Sequence, residues 1–350
     1  MAIGKNVPRV DAVAKVTGRA HYTDDFHMPG MLHAGYVRSP IAHGRVTRID
    51  TATAEAMAGV EAVYTFEQVP QNKFATAGHP YSMDAAHRDV ADRLLLTGHV
   101  RYQGDEVAVV VARDRLTLQQ AIAKVAVEYE AYPVIVAGAD ALAEGAPEIH
   151  SGSGTRIGES GYATGTDVTG AIDKAPIRIE GHYRSPVVQH CHIENHIALA
   201  YMEDLDQITI ISSTQIPHIA RRIVGEALGL PWGQIRVIKP YIGGGFGAKQ
   251  DVVLEPMVAW LTRQLDGRPV KLDLSREECM AATRIRHPFD VKLRAGADKD
   301  GVLTAMEIDV ISNSGAYASH GHSVASAGGA KMRSLYPNAQ VRYHARTVYA

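Results

Sequence analysis

An α+β fold in two units is what the order of apolar runs in this chain predicts, and three observations carry it. Short strand-like runs alternate with turn residues and brief helical stretches through the first third. Residues 136–170 are rich in Gly, Ala, Ser and Thr and have no sustained periodicity, the composition of a surface connection. Beyond them, three strand-like runs come in series before the first long helix, a segregation that favours α+β over a regular βαβ repeat.

The first unit, expected over 1–135, begins its strands at residues 33–40, 46–50 and 60–66, with turn residues between. The Thr-Ala-Thr-Ala-Glu-Ala-Met-Ala run from Thr51 reads as a short helix opened by a Thr cap. Glu106-Val-Ala-Val-Val-Val-Ala is a buried strand, residues 116–127 have helical periodicity, and 126–135 are strand-like again. After the expected connection at 136–170, the second unit spans 171–350. Its strands fall at 178–183, 197–202 and 207–213, followed by a helix at 217–228, a strand at 234–240, a glycine-rich loop, a helix at 252–265 and a strand at 269–274. The partly alternating run 302–312 closes this series as a half-buried strand.

Composition removes several classes of function. With 350 residues, 46% hydrophobic and 21% charged, the chain has the balance of a globular protein with sizeable cores. A formal charge of −2 and the lack of any basic block make nucleic acid an unexpected partner. No run approaches the roughly 18 apolar residues of a membrane span, and the start lacks a signal peptide's apolar stretch, so the cytoplasm is expected. Cys191 and Cys279 are the only cysteines and cannot supply the four thiolates of an iron-sulfur cluster. Electrons passing through this protein therefore need another chain or cofactor.

The chemistry concentrates in Tyr-Ile-Gly-Gly-Gly-Phe-Gly-Ala-Lys-Gln, residues 241–250. Four glycines in five residues mark positive φ angles or a close backbone approach, and Phe246 among them is either a core pin or a surface offered to a planar ligand. Gly243 to Ala248 satisfies G-x-G-x-x-A, with Asp273 on the next strand, so a dinucleotide fingerprint is formally matched, although antiparallel-looking strands precede it. A Walker loop is excluded because Lys249 follows Ala248 and precedes Gln250. His190-Cys-His-Ile-Glu-Asn-His196 invites a zinc reading, but its order is not the His-Glu-x-x-His of zincins, and ordinary buried polar contacts are favoured, with Cys191 packed. Ser212-Ser-Thr-Gln215 is either a helix-capping turn or a source of amide donors. Arg276, Arg284, Arg286 and His287 form a loose basic patch, either solvated or internally paired.

Taken together, these motifs resemble the molybdenum-binding subunit of the xanthine dehydrogenase and aldehyde oxidase family, most of all the bacterial three-subunit xanthine dehydrogenases. Residues 11–25, 37–44 and 103–112 are similar to its N-terminal α/β-hammerhead domain. Gln189-His-Cys-His-Ile-Glu, Ser213-Thr-Gln-Ile-Pro-His, Gly243-Gly-Gly-Phe-Gly-Ala-Lys, Ser275-Arg-Glu-Glu and Thr283-Arg-Ile-Arg-His-Pro are similar to its first molybdopterin-binding domain. The resemblance implies a molybdenum-pterin cofactor, as molybdopterin or its cytosine dinucleotide, with [2Fe-2S] clusters and FAD on partner subunits. It places Gln215 where a glutamine hydrogen-bonds an oxo ligand of molybdenum, and Gly244, Gly245, Phe246 and Gly247 where backbone approaches metal and pterin. The implied reaction is hydroxylation of purines such as xanthine or hypoxanthine, related N-heterocycles, or aldehydes, with water as oxygen source.

Three departures qualify the carry-over. Gln250 stands where xanthine oxidases commonly have a substrate-binding glutamate, and alignment puts Ala327 where they have a substrate-orienting arginine. The chain also stops at Ala350, before the segment that holds further pterin contacts and the general-base glutamate. No catalytic residue is therefore assigned, and the chain alone is expected not to turn over without the C-terminal half. A nucleotide-binding dehydrogenase and a non-catalytic assembly subunit remain the alternatives.

Overall fold

A computed structural model of the chain describes residues 3–84, 87–204 and 207–350. The first third contains helix α1 (Ala12–Val16), strands β1 (Leu32–Arg38) and β2 (Gly44–Asp50), helix α2 (Ala52–Glu55), strands β3 (Val60–Thr65), β4 (His99–Val100) and β5 (Glu106–Ala112), helix α3 (Arg115–Ile122) and strand β6 (Ala126–Ala131). There follow β7 (Arg156–Thr164), α4 (Val168–Lys174), β8 (Ile177–Arg184), β9 (Ile197–Asp204), β10 (Gln207–Ser212), α5 (Pro217–Leu228) and β11 (Ile235–Ile238). The chain then runs through α6 (Glu255–Gln264), β12 (Val270–Asp273), α7 (Arg276–Ala282), β13 (Phe289–Ala297), β14 (Leu303–Asn313), α8 (Gly321–Leu335) and β15 (Gln340–Val348).

These strands form a seven-stranded sheet in the order β11-β10-β9-β12-β1-β5-β3, a five-stranded sheet β7-β15-β14-β13-β8 and a three-stranded sheet β4-β2-β6. The α+β class expected from the sequence is what the chain adopts. All seven residues of β5 are buried, because its two faces meet two different cores. Val109 and Val111 join Ile223 and Val224 of α5 and Met257 and Leu261 of α6. Val110 and Ala112, on the other face, instead pack with Leu118 and Ala121 of α3. Side chains of a strand alternate between faces, so an unbroken apolar run is what a strand between two cores requires.

The seam between the first third and the rest is a hydrogen-bonded ladder. β1 pairs parallel to β12, with Leu32, His33 and Ala34 opposite Val270, Lys271 and Leu272. Side chains reinforce it: Arg38 donates to Glu106 (2.7 Å) and to Glu278 of α7 (2.8 Å), and Tyr317 donates to Asp105 (2.9 Å).

Within residues 136–170, expected as a surface connection, 136–155 carry only turns and a short 3-10 turn, whereas 156–164 form a strand of the five-stranded sheet. β7 pairs antiparallel along β15, from Thr164 opposite Val341 to Arg156 opposite Val348, and α4 begins at Val168 behind an Asp167 cap that accepts from Gly170 N–H (2.9 Å). β7 lacks an apolar period because it is an edge strand; its partner strand, rather than its own composition, makes it a strand. Thr51 does precede α2, but its hydroxyl donates to Glu55 (2.7 Å) and caps no backbone N–H.

Two adjacent strand ends position the site. β10 and β11 are parallel neighbours, Ile211 opposite Ile238, so the segment ending in Gln215 and the glycine loop leave the same edge of the sheet. α5 turns the first of these away promptly, with Pro217 in its first turn and Gly229 at φ 65° just past its end.

Candidate functional site

The loop after β11 is shaped by contact on both sides. Gly244 and Gly247 each have φ 97°. A Cβ on Gly243 would come within 2.4 Å of Glu194 Cβ, and one on Gly245 within 2.4 Å of Gln215 Oε1, so only glycine lets the backbone come this close. Phe246 has φ 51° and is 68% exposed, which excludes the core pin. Its ring faces outward.

Gln215 straps the loop from one side. Its backbone N–H donates to Lys249 O (2.8 Å), and its side-chain Oε1 accepts from Gly247 N–H (3.0 Å), leaving the amide nitrogen without a partner among the described residues. Thr214 shapes the turn before it, its hydroxyl accepting from Ile216 N–H (3.1 Å).

Beneath the loop, Glu194 grips Gly243 reciprocally. Glu194 N–H donates to Gly243 O (3.1 Å), and Gly243 N–H donates to Glu194 Oε2 (2.8 Å). Lys249 is 1% exposed and donates its ammonium to the same carboxylate oxygen at 2.8 Å. Burial pushes the Lys249 amine below its usual range while Glu194 pulls it back up. The residues set aside in the sequence as a failed Walker lysine and a failed zincin glutamate are thus partners.

The rest of the 190–196 segment is a turn packed under this pair. His192 Nδ1 lies 2.5 Å from Glu194 O. His196 is fully enclosed, and burial holds its imidazole at about 3, so it is neutral at physiological pH. His192 and His196 do not converge with a third metal-ligating side chain among the described residues. Cys191, expected to be packed, is exposed at φ 51° because the turn directs it outward, and Cys279 is the buried thiol.

On the other flank Asp251 is buried among Ser319 (2.7 Å), His320 (3.0 Å) and Arg284 (3.6 Å). Burial alone would raise its carboxyl, but His320, Arg284 and Ser319 hold it below the usual carboxylate range. Arg284 also donates to Gly247 O (3.3 Å). The basic patch expected around Arg276 dissolves into separate tasks: Arg284 points inward to the loop, and Arg276 donates to Ile193 O (2.8 Å). Gln250 donates its N–H to Gly247 O (3.3 Å) and has no side-chain partner among the described residues. Ala327 is exposed on α8, seven residues past His320, which is about 10 Å along a helix. Gly244, Gly245, Phe246, Gly247, Gln215 and Gln250 come together at the loop, while Ala327 lies on α8.

The dinucleotide reading fails on geometry. The loop runs into a short 3-10 turn, Ala248–Gln250, and α6 begins only at Glu255, so no helix N-terminus faces the glycines. β11 and β12 are not neighbours, and Asp273 is held by Arg115 at 2.8 Å. What the loop does offer is a donor set. The backbone N–H groups of Gly244, Gly245 and Phe246 have no acceptor among the described residues, and the Gln215 amide nitrogen and Arg284 stand beside them. Buried nearby without partners are His190 Nδ1, Asn195 Oδ1 and His287 Nδ1. Consecutive free amides flanked by a side-chain amide and a guanidinium suit an oxygen-rich, anionic group rather than a bare cation, and a pterin phosphate with an oxo-bearing metal fits that description.

Known proteins share this arrangement of elements. Residues 149–350 match the family model of the molybdopterin cofactor-binding domain, and residues 17–133 match that of the aldehyde oxidase and xanthine dehydrogenase a/b hammerhead domain. The chain is 55% identical over 341 residues to the xanthine dehydrogenase molybdenum-binding subunit of Escherichia coli O157:H7, covering 97% of this chain and 45% of that protein. It is 34% identical over 349 residues to the nicotinate dehydrogenase large molybdopterin subunit of Eubacterium barkeri, covering 99% and 79%. The solved aldehyde oxidoreductase from Desulfovibrio gigas superposes with a TM-score of 0.87 at 30% identity, over 98% of this chain and 38% of that one. The chain therefore spans a little under half the length of the xanthine dehydrogenase subunit it matches.

Proposed function

The chain belongs to the aldehyde oxidase and xanthine dehydrogenase family, and from that premise we propose that it is part of a molybdenum hydroxylase that oxidises purines or related N-heterocycles with water as the oxygen source. Residues 1–135 form its hammerhead portion and the remainder its first cofactor-binding portion. The observation that carries the reading is the row of unpartnered N–H groups at Gly244, Gly245 and Phe246 beside the free amide of Gln215. The likeness to a xanthine dehydrogenase subunit favours purines.

When bound, the molybdenum-pterin group supplies the two-electron oxidation. This chain's residues bind and orient. The three amides and Gln215 would donate to the group's oxygens, while Glu194 and Lys249 fix the loop's underside and Arg284 fixes its far end through Gly247 O. Gln250, whose amide can both donate and accept, faces the substrate. The general base lies in a C-terminal portion, and electrons leave through iron-sulfur and FAD subunits. Oxidation of aldehydes is the second reading, favoured by the neutral Gln250 and by the likeness to an aldehyde oxidoreductase.

Gly245→Ala in the assembled enzyme tests the reading. The new methyl would collide with Gln215 Oε1, so molybdenum and pterin content should fall together, with far-UV circular dichroism unchanged. Full molybdenum occupancy in that variant, or bound nicotinamide in place of pterin, overturns the reading. A panel of purines and aldehydes on the same complex separates the two substrate classes.

A further inference from the structure

Away from the glycine loop, His79, Asp89 and His322 converge. His79 and Asp89 lie between Phe74 and Arg93, two residues that pair through an isolated antiparallel bridge, while His322 sits in the first turn of α8. Each offers one ligand atom, and the three atoms lie within 4.8 Å of one another; no other such group of His, Cys, Asp or Glu occurs among the described residues. His79 Nδ1 is 2.6 Å from Asp89 Oδ1, and His322 Nε2 is 3.6 Å from the same oxygen.

Two features distinguish this from a simple His–Asp hydrogen bond. The Asp89 side chain is only 6% exposed, and neither Lys nor Arg pairs with it among the described residues, so no permanent cation compensates a buried carboxylate. A second imidazole is aimed at the oxygen His79 already occupies. The neighbouring His320 ring, 4.6 Å from His79, is committed elsewhere: its Nε2 accepts from Gly78 N–H (3.0 Å) and its Nδ1 faces Asp251.

We propose that His79, Asp89 and His322 bind a divalent transition-metal ion that staples the 74–93 stretch to α8. Ligand bonds of about 2.0–2.2 Å place neighbouring ligand atoms roughly 3.3 Å apart in a tetrahedral site. Asp89 and His79 must therefore separate by less than about 1 Å, His322 approach Asp89 by a few tenths, and the two imidazoles close from within 4.8 Å to the same spacing. Two imidazoles and one carboxylate suit zinc or ferrous iron rather than magnesium or calcium, and leave positions open to water. The staple bears on the cofactor site. Gly78, next to His79, packs so closely on the Gln250 carbonyl that a Cβ would come within 2.7 Å of it, so the ion would fix the wall beside Gln250.

The test uses Zn2+ and Mg2+ on the metal-stripped chain carrying Cys191→Ser, which removes the exposed thiol as a competing ligand. Isothermal titration should give one Zn2+ per chain and no Mg2+, with affinity lost by at least about 100-fold in His79→Ala plus His322→Ala. Zn2+ should also slow proteolytic cleavage between residues 74 and 93 in the parent and not in that variant. Asp89→Asn, close to isosteric, replaces the double variant if the latter misfolds. Unchanged zinc affinity in the variants, or no stoichiometric binding by the parent, overturns the proposal.

Discussion

Replacing Lys249 with Met isolates what holds the glycine loop from below. The ammonium and the Glu194 carboxylate stand 2.8 Å apart with both side chains nearly out of solvent. At an effective dielectric of about 20, two unit charges at that distance attract by roughly 6 kcal/mol, and desolvation takes back part of this. Methionine keeps the volume and removes the charge, so Glu194 is left buried with only the Gly243 N–H on Oε2 and nothing on Oε1. Stranding one member of such a pair costs about 3–5 kcal/mol, a large part of a typical stability of about 5–15 kcal/mol. Adding Glu194→Gln removes the stranded charge and keeps an acceptor for Gly243, so the double variant should recover at least half of the loss. Urea unfolding followed by the fluorescence of Trp260, buried on α6, measures all four corners of the cycle. A loss below about 1 kcal/mol in Lys249→Met, or no recovery in the double variant, refutes the pair as the loop's anchor.

Two further outcomes follow from the same geometry. Phe246→Ala should change unfolding stability by less than about 0.5 kcal/mol, because the ring is exposed; a loss above about 2 kcal/mol would mean that the ring is packed after all. Acid should weaken the fold through buried neutral histidine. Burial depresses His196 to about 3 from 6.5, so its contribution is complete above pH 6.5 and declines as the pH falls towards 3. At pH 5 the loss is about 2 kcal/mol, and His196→Asn should flatten that part of the profile; identical urea midpoints at pH 7.5 and pH 5 would refute it.

Local signals made some elements legible and left others invisible. The helix expected at 217–228 is α5, because Pro217 and Gly229 mark its ends chemically. The unbroken apolar run of β5 identified itself in the same way. α8 went unseen, since Gly-Gly in a 15-residue helix argues against one. Packing overrides that propensity: a Cβ on Gly329 would come within 2.5 Å of the Tyr343 ring, and Tyr343 OH donates to Ala325 O (2.6 Å). Glycine there serves close contact with β15. At the site, the glycine loop and Gln215 were readable as motifs, whereas the partners that fix them were not. Glu194 lies 55 residues before Lys249, and Asp251 lies 69 before His320. Spacings of that size carry no periodicity, so each residue was assigned to whichever local motif it half matched.

The parallel ladder between β1 and β12 has a mechanical consequence. Cutting the backbone anywhere between the hammerhead-matching and cofactor-matching stretches would leave two pieces still knitted by main-chain hydrogen bonds, with β5 wedged between two apolar clusters. Made separately, the first piece would expose a bare β1 edge and the Val109 and Val111 face of β5, the kind of surface that recruits stray strands. Force applied at the N-terminal portion is therefore borne by β12, which two residues separate from α7, rather than by the covalent connection, and the cofactor loop's sheet yields or holds together with it.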